Sequence, residues 1–197
     1  MHPMNPGHPT RSINPIVRAA AAADATAIAA VGTCSFTWAF GHLFTADVLN
    51  RYLERTYSAD KIRLSLGKPE NLFFVVEAHG CVRGFLKLKR DCPHPALAGR
   101  QWQLQKLYVD PEFIRGGLGA ALMAAGERAM RGTRESQHSE GSEGAELVWL
   151  LVYTGNERAL AFYDRFGYLA AGRETHAFEH IRVDFRLLAK RLPARSV

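Results

Sequence analysis

Residues 107–123 read LYVDPEFIRGGLGAALM. An apolar strand end meets Asp110-Pro111, three glycines fall within four positions, and a run of small aliphatic residues follows. Glycine is a poor helix former. Even so, Leu118, Leu122, Ala125 and Ala129 recur at helical spacing as far as Gly132. The segment therefore predicts strand, glycine turn, helix. Such a turn suits a phosphate, because the first helical turn has unpaired N–H groups at the positive end of its dipole. Glycine lets backbone and anion approach closely, and Arg115 adds a charge. A plain, closely packed turn explains the same residues. Two familiar loops are excluded: Gly-Lys-Ser/Thr is absent, and Gly116, Gly117 and Gly119 do not have the dinucleotide-binding spacing.

Outward from this turn, residues 1–13 are rich in Pro, Gly and His and predict a disordered leader. A single domain is expected over 14–193. PIVRAA (15–20) predicts a strand, and Asp24 predicts a cap for a helix that Gly32 ends. Thr45 starts a second helix with Val48, Leu49, Tyr52 and Leu53 on one face, and Ser58 starts a further turn that Gly67 stops. NLFFVVEA, His79-Gly80 and CVRGFLKLK predict a β-hairpin. WQLQKLYVD alternates polar and apolar residues and predicts another strand. Residues 133–146 have almost no large apolar side chain and predict a mobile loop. LVWLLVY (147–153) predicts a buried central strand. Asn156 caps ERALAFYDRF, Gly167 ends it, and YLAAGRE and FEHIRVDFRLLAKRL predict two last strands.

Composition narrows the class. The chain has 197 residues and formal charge +6, with basic residues scattered rather than blocked. Scattered charge favours a solvated surface over nucleic-acid binding. Membrane insertion is not expected, since no apolar run approaches the roughly 18 residues of a span. The three cysteines lack metal-ligand spacing and predict reduced thiols in a cytoplasmic protein, with no metal.

The glycine segment and NERALAFYDRFGY (156–168) together resemble the GNAT acyltransferases. Gly117 and Gly119 match the small positions of one signature, and Asn156, Ala159, Tyr163 and Gly167 match a second, with Tyr168 where Phe is usual. VLNRYLERTYSADKIRLSL (48–66) and the C-terminal strands look like the PaiA-type bacterial spermidine/spermine acetyltransferases. The resemblance implies a mixed, mostly antiparallel α/β sheet of about seven strands with about four helices, splayed between the fourth and fifth strands. It implies acetyl-CoA as co-substrate. Its pyrophosphate would sit on the N–H groups of Arg115, Gly116, Gly117, Leu118, Gly119 and Ala120. Its pantetheine would lie along Leu107, Tyr108 and Val109, with Asn156, Ala159, Phe162 and Tyr163 also in contact. The Leu107 N–H would polarise the thioester carbonyl and Tyr163 would protonate the departing thiolate. A small-molecule amine or polyamine is the implied acceptor, acetylated by a monomer or homodimer.

Two departures stand out. Ile114 occupies the Gln/Arg position of the first signature. Gln103 and Gln105 stand where a Glu base is often found, which leaves a water chain as relay, or Asp91, Glu112, Glu174 or His176 as candidates. The segment TCSFTWAFGHLF (33–44), expected to roof the acceptor site through Phe36, Trp38 and Phe40, has aromatics but no acid. An aromatic, neutral or peptide amine fits that roof as well as a polyamine does. A catalytically weak acyl-CoA-binding module is the alternative to an enzyme.

Overall fold

The computed structural model describes residues 15–132 and 144–193, so the expected leader and most of the expected loop at 133–146 lie outside the described residues. In chain order come β1 (Ile16–Ala19), α1 (Ala25–Phe40), α2 (Ala46–Tyr57), α3 (Ala59–Leu66), β2 (Asn71–Ala78), β3 (Cys81–Lys89) and β4 (Gln101–Val109). Then follow α4 (Leu118–Met130), β5 (Leu147–Tyr153), α5 (Glu157–Arg165), β6 (Leu169–Phe178) and β7 (Ile181–Arg191). The seven strands form one sheet in the order β1-β2-β3-β4-β5-β7-β6. Only the β4–β5 pair is parallel. The expected mixed, mostly antiparallel α/β class is what the chain adopts.

Local chemistry sets most boundaries. Asn156 Oδ1 accepts from the Ala159 N–H at 3.1 Å and starts α5. Gly67 ends α3, and Pro111 lies just beyond the end of β4. Two expected helix signals act otherwise. Asp24 makes no side-chain cap on α1. Its carboxylate instead accepts from the Ala21 N–H and from both terminal nitrogens of Arg18, tying β1 to the helix entry. The Arg18 guanidinium, through those bonds, holds the carboxyl below its ordinary range.

Gly32 does not end α1. A helix-interior glycine costs only about 1 kcal/mol relative to Ala, and here it makes room for an aromatic ring. A Cβ at position 32 would lie 2.4 Å from Cδ1 of Tyr57, which is 2% exposed. The helix therefore carries on to Phe40 and takes most of the expected roof segment with it. In addition, β6 runs to Phe178, so the last hairpin turns at Glu179-His180, later than the sequence pattern suggests.

The sheet carries a core on each face. Leu86, Leu88, Trp102, Leu104, Leu118, Leu122 and Tyr163 belong to the core shared with α4 and α5. Ile28, Phe36, Tyr57, Phe73, Val75 and Phe85 belong to the core shared with α1–α3.

One irregularity reassigns side chains between these cores. Opposite β3, Lys87 pairs with Lys106 but Leu88 pairs with Leu104, so Gln105 is an extra residue on β4. Before this bulge, Trp102 and Leu104 face α4. After it, Leu107 and Val109 pack toward that same core, while Tyr108 packs against the α1–α3 core and Lys106 reaches Tyr57.

Gly32→Ala tests the reading of α1. Helix propensity alone favours the alanine by about 1 kcal/mol. Overpacking against Tyr57 opposes it by roughly 1–3 kcal/mol. Chemical denaturation is expected to show net destabilisation; a more stable variant would mean that the Tyr57 ring moves away freely.

Candidate active site

β4 and β5 pair only at Gln101–Leu147, Trp102–Val148 and Gln103–Trp149, and then diverge. A cleft of about 960 Å³ opens where the pairing stops. The backbone that β4 offers to it follows from the β3–β4 ladder. The Asp110 N–H donates to the Arg83 carbonyl, toward β3. Antiparallel hydrogen bonding repeats every two residues, so the N–H groups of Tyr108 and Lys106 also face β3. Those of Leu107 and Val109 face the opening. The Val109 carbonyl accepts from the buried Ser35 Oγ at 3.1 Å.

The glycine turn forms the next wall. Arg115 and Gly117 are left-handed, at φ 73° and 79°. The Gly116 N–H donates to Phe113, so this member of the expected phosphate cradle is already used. The Ala121 N–H makes the helical bond to Gly117 O. Between them, the N–H groups of Leu118, Gly119 and Ala120 belong to the helix's first turn, where the ladder supplies no acceptor. Nothing lies within 4 Å of a Cβ built on Gly117. A Cβ on Gly119 would make ordinary contact with the Phe162 ring, at 3.5 Å, and with Val109. Ile114 lines the cleft beside Arg115.

α5 closes the opposite side, with Asn156, Ala159, Phe162 and Tyr163 on the lining. Tyr163 is buried between Phe162 and Tyr168. Burial first, and then the neighbouring Tyr108, raise its phenol well above the ordinary value. Arg158, two residues after Asn156, lies 4.5 Å over the ring of Trp38, which is 55% exposed. Trp38 therefore faces α5, whereas Phe36 and Phe40 face inward.

The inner end of the cleft is aromatic. Phe36 stacks on Phe40 and on Tyr52, each at 4.6 Å, and Tyr52 meets Phe178 at 5.5 Å. Tyr153 and Phe185 complete this end. Beneath it, Lys106 Nζ donates to Tyr57 Oη at 3.1 Å, and the Tyr57 hydroxyl donates to Tyr108 Oη at 3.2 Å. Burial, with the Lys87 charge across the strand pair, lowers the Lys106 ammonium to about 8.

Of the expected site residues, all but Gly116 line this one cleft. None of the four candidate bases does. Asp91 and Glu112 are exposed. Glu174 is clamped between His176, at 2.8 Å, and the buried His94, at 2.5 Å. Hydrogen bonds from His176 and then His94 lower its pKa. Sequence reasoning missed Lys106, Tyr57, Tyr52, Phe178 and Phe185. The break in alternation after Leu104 was a readable signal for Lys106; the other four arrive through long-range packing. Among the described residues, no group of His, Cys, Asp and Glu could hold a metal ion, and no helix is long and apolar enough to cross a membrane.

Comparison with known proteins agrees with this geometry. Residues 35–168 match the acetyltransferase (GNAT) family model. The chain is 26% identical over 135 residues to an uncharacterized N-acetyltransferase in the pepI 3' region of Lactobacillus delbrueckii subsp. lactis, covering 68% of this chain and 72% of that one. In fold it is similar to a GCN5-related N-acetyltransferase structure from Rhodopseudomonas palustris (TM-score 0.67, 20% identity, 94% of this chain and 100% of that one). It is also similar to the PaiA N-acetyltransferase of Thermoplasma acidophilum, solved with coenzyme A (TM-score 0.66, 17% identity, 91% and 99%). At these identities the two structures establish likeness of fold.

Gly117→Val places a branched side chain at positive φ, in the open space of the turn. The strain is about 1–2 kcal/mol. Calorimetry with acetyl-CoA is expected to show binding weakened by at least about tenfold, while Gly119→Ala and Ile114→Gln each remain within about threefold of wild type, since backbone N–H groups do the holding. Unchanged affinity in the Gly117→Val protein would reduce the turn to a structural link.

Proposed function

The chain belongs to the acetyltransferase (GNAT) family, and from that premise we propose that it moves an acetyl group from acetyl-CoA to a primary amine by direct transfer in a ternary complex. One observation supports this most strongly. The outward N–H groups of β4, the first turn of α4 and the Tyr163 phenol converge on a single cleft. In this reading, the backbone of Gly117 to Ala120 and the Arg115 charge hold the pyrophosphate. The pantetheine arm takes the place of a strand between β4 and β5, against Leu107 and Val109. Asn156, Ala159 and Phe162 flank it from α5.

The acceptor attacks as a free amine, since an ammonium has no lone pair. A C–N bond forms at the thioester carbon, and the carbonyl oxygen gathers charge that the Leu107 N–H stabilises. The C–S bond then breaks, and the departing thiolate takes a hydrogen bond and its proton from Tyr163, whose phenolate at once recovers a proton from water in the cleft. The amine's surplus proton leaves to water. The raised Tyr163 pKa keeps the phenol protonated across the physiological range, as a donor requires. Phe36 and Phe40 contact the acceptor, and Trp38 covers the entrance. The acceptor is a small molecule, and the domain acts without a metal.

An acetyl-CoA turnover screen over amines with Tyr163→Phe tests the reading. The variant is expected to lose about 10²- to 10⁴-fold in kcat, with acetyl-CoA affinity retained. If the wild-type protein binds acetyl-CoA but acetylates no amine, the chain is a cofactor-binding module and the enzyme reading fails.

A further inference from the structure

The charge inventory of the cleft restricts its acceptor. Among the described residues lining it, none is Asp, Glu or His, and the charged side chains are Lys106, Arg115, Arg158 and Arg165. Arg115 belongs to the glycine turn proposed to hold the cofactor phosphates, and Arg158 and Arg165 belong to α5, with Arg158 over Trp38. Lys106 is on a different element, β4, and reaches Tyr57 at the aromatic end. Its partner is a hydroxyl, Tyr57 Oη, and it makes no ion pair with any described carboxylate. A cation drawn out of water without a counter-ion is costly. Its depressed ammonium pKa, to about 8, reports that cost.

The polar groups at this end are arranged as donors. Lys106 gives one N–H to Tyr57 and has two more. Tyr57 gives its proton to Tyr108. The Tyr108 proton is then left for another acceptor, and Tyr108 lines the cleft. An ammonium group arriving here finds like charge and no carboxylate; a carboxylate finds an unpaired cation and a phenol.

We propose that the acceptor is an amine of the amino-acid class, whose carboxylate pairs with Lys106 and Tyr108 and whose apolar body lies against Phe36, Phe40, Tyr52 and Phe178. The idea rests on the acetyltransferase reading for the amine, but the carboxylate subsite stands on its own geometry. It excludes polyamines, which would carry further positive charge into a cationic cleft.

Two measurements test it with the full chain. The first compares kcat/KM for phenylalanine, tyrosine and tryptophan with that for the corresponding decarboxylated amines and for spermidine, at saturating acetyl-CoA. Wild type is expected to prefer the best amino acid over its decarboxylated partner by about tenfold to a hundredfold. Lys106→Met should bring that ratio below about threefold, and Lys106→Arg should preserve most of it, since either cation can pair with a carboxylate. Equal or better turnover of the decarboxylated amines or of spermidine by wild type overturns the proposal and leaves the acetyltransferase reading intact.

The second measurement needs no turnover. Calorimetry with 3-phenylpropionate on the CoA-loaded protein should show binding that Lys106→Met weakens by about tenfold or more. Absent or Lys106-independent binding overturns the carboxylate subsite. Binding that depends on Lys106, together with no acetylation of any amine, keeps the subsite and overturns the enzyme reading. Thermal unfolding of both variants within a few degrees of wild type separates a lost ion pair from a lost fold.

Discussion

The extra residue at Gln105 is the constraint on which the rest of the cleft depends. In a regular strand, Lys106 would share a face with Trp102 and Leu104 and would be driven into the apolar core beneath α4. The bulge moves it to the other face, against Tyr57, and places Leu107 and Val109 over α4 in its stead. The same slip decides which amides face β5. Beyond it, the odd-numbered backbone groups turn toward a neighbour that has already diverged. A single inserted residue therefore supplies both a line of outward-facing donors and an isolated cation to the same cleft.

What holds the two strands apart is packing on both sides of the sheet. Phe162 and Tyr163 from α5 occupy the α4 side, while Phe36 and Phe40 from α1 and the aromatics of β6 and β7 close the other. Ser35 fastens the end of β4 to α1 through the Val109 carbonyl. Gly32 serves the same end at a distance. By admitting the Tyr57 ring against the helix backbone, it brings the Tyr57 hydroxyl to where Lys106 and Tyr108 can reach it.

Much of the fold was legible because its signals are local. The turn residues His79-Gly80 between two apolar segments marked the hairpin of β2 and β3, alternation marked β4, a continuous apolar run marked β5, and Asn156 with Gly167 bracketed α5. That the glycine turn and α5 would share one cleft was legible for a similar reason: their residues lie in two short segments with fixed spacing. That the Gly116 N–H is taken by Phe113 was not legible, because hydrogen-bond use inside a turn is not visible in composition. Asp24 and Gly32 misled because tertiary partners, Arg18 and Tyr57, outweighed their usual roles as cap and stop. The acceptor end was largely illegible. It is assembled from α1, α2, β4, β6 and β7, elements far apart in the chain and joined by sheet order. Glu174 and His176 looked available as bases because sequence does not show that His94 crosses over to occupy Glu174.

The cationic lining also governs how the protein meets its ligands. Arg115, Arg158, Arg165 and Lys106 project one sign of charge into a concave, partly apolar space, a shape that concentrates field lines at its mouth. A polyanionic cofactor is drawn in from beyond contact distance. That attraction fades once added salt shortens the screening length to about 8 Å or less. The backbone groups proposed to hold the pyrophosphate act at hydrogen-bond range and are screened far less. Ionic strength thus acts mainly on the rate of encounter and only weakly on residence time, so in a saltier medium the cleft fills more slowly yet holds what it has captured.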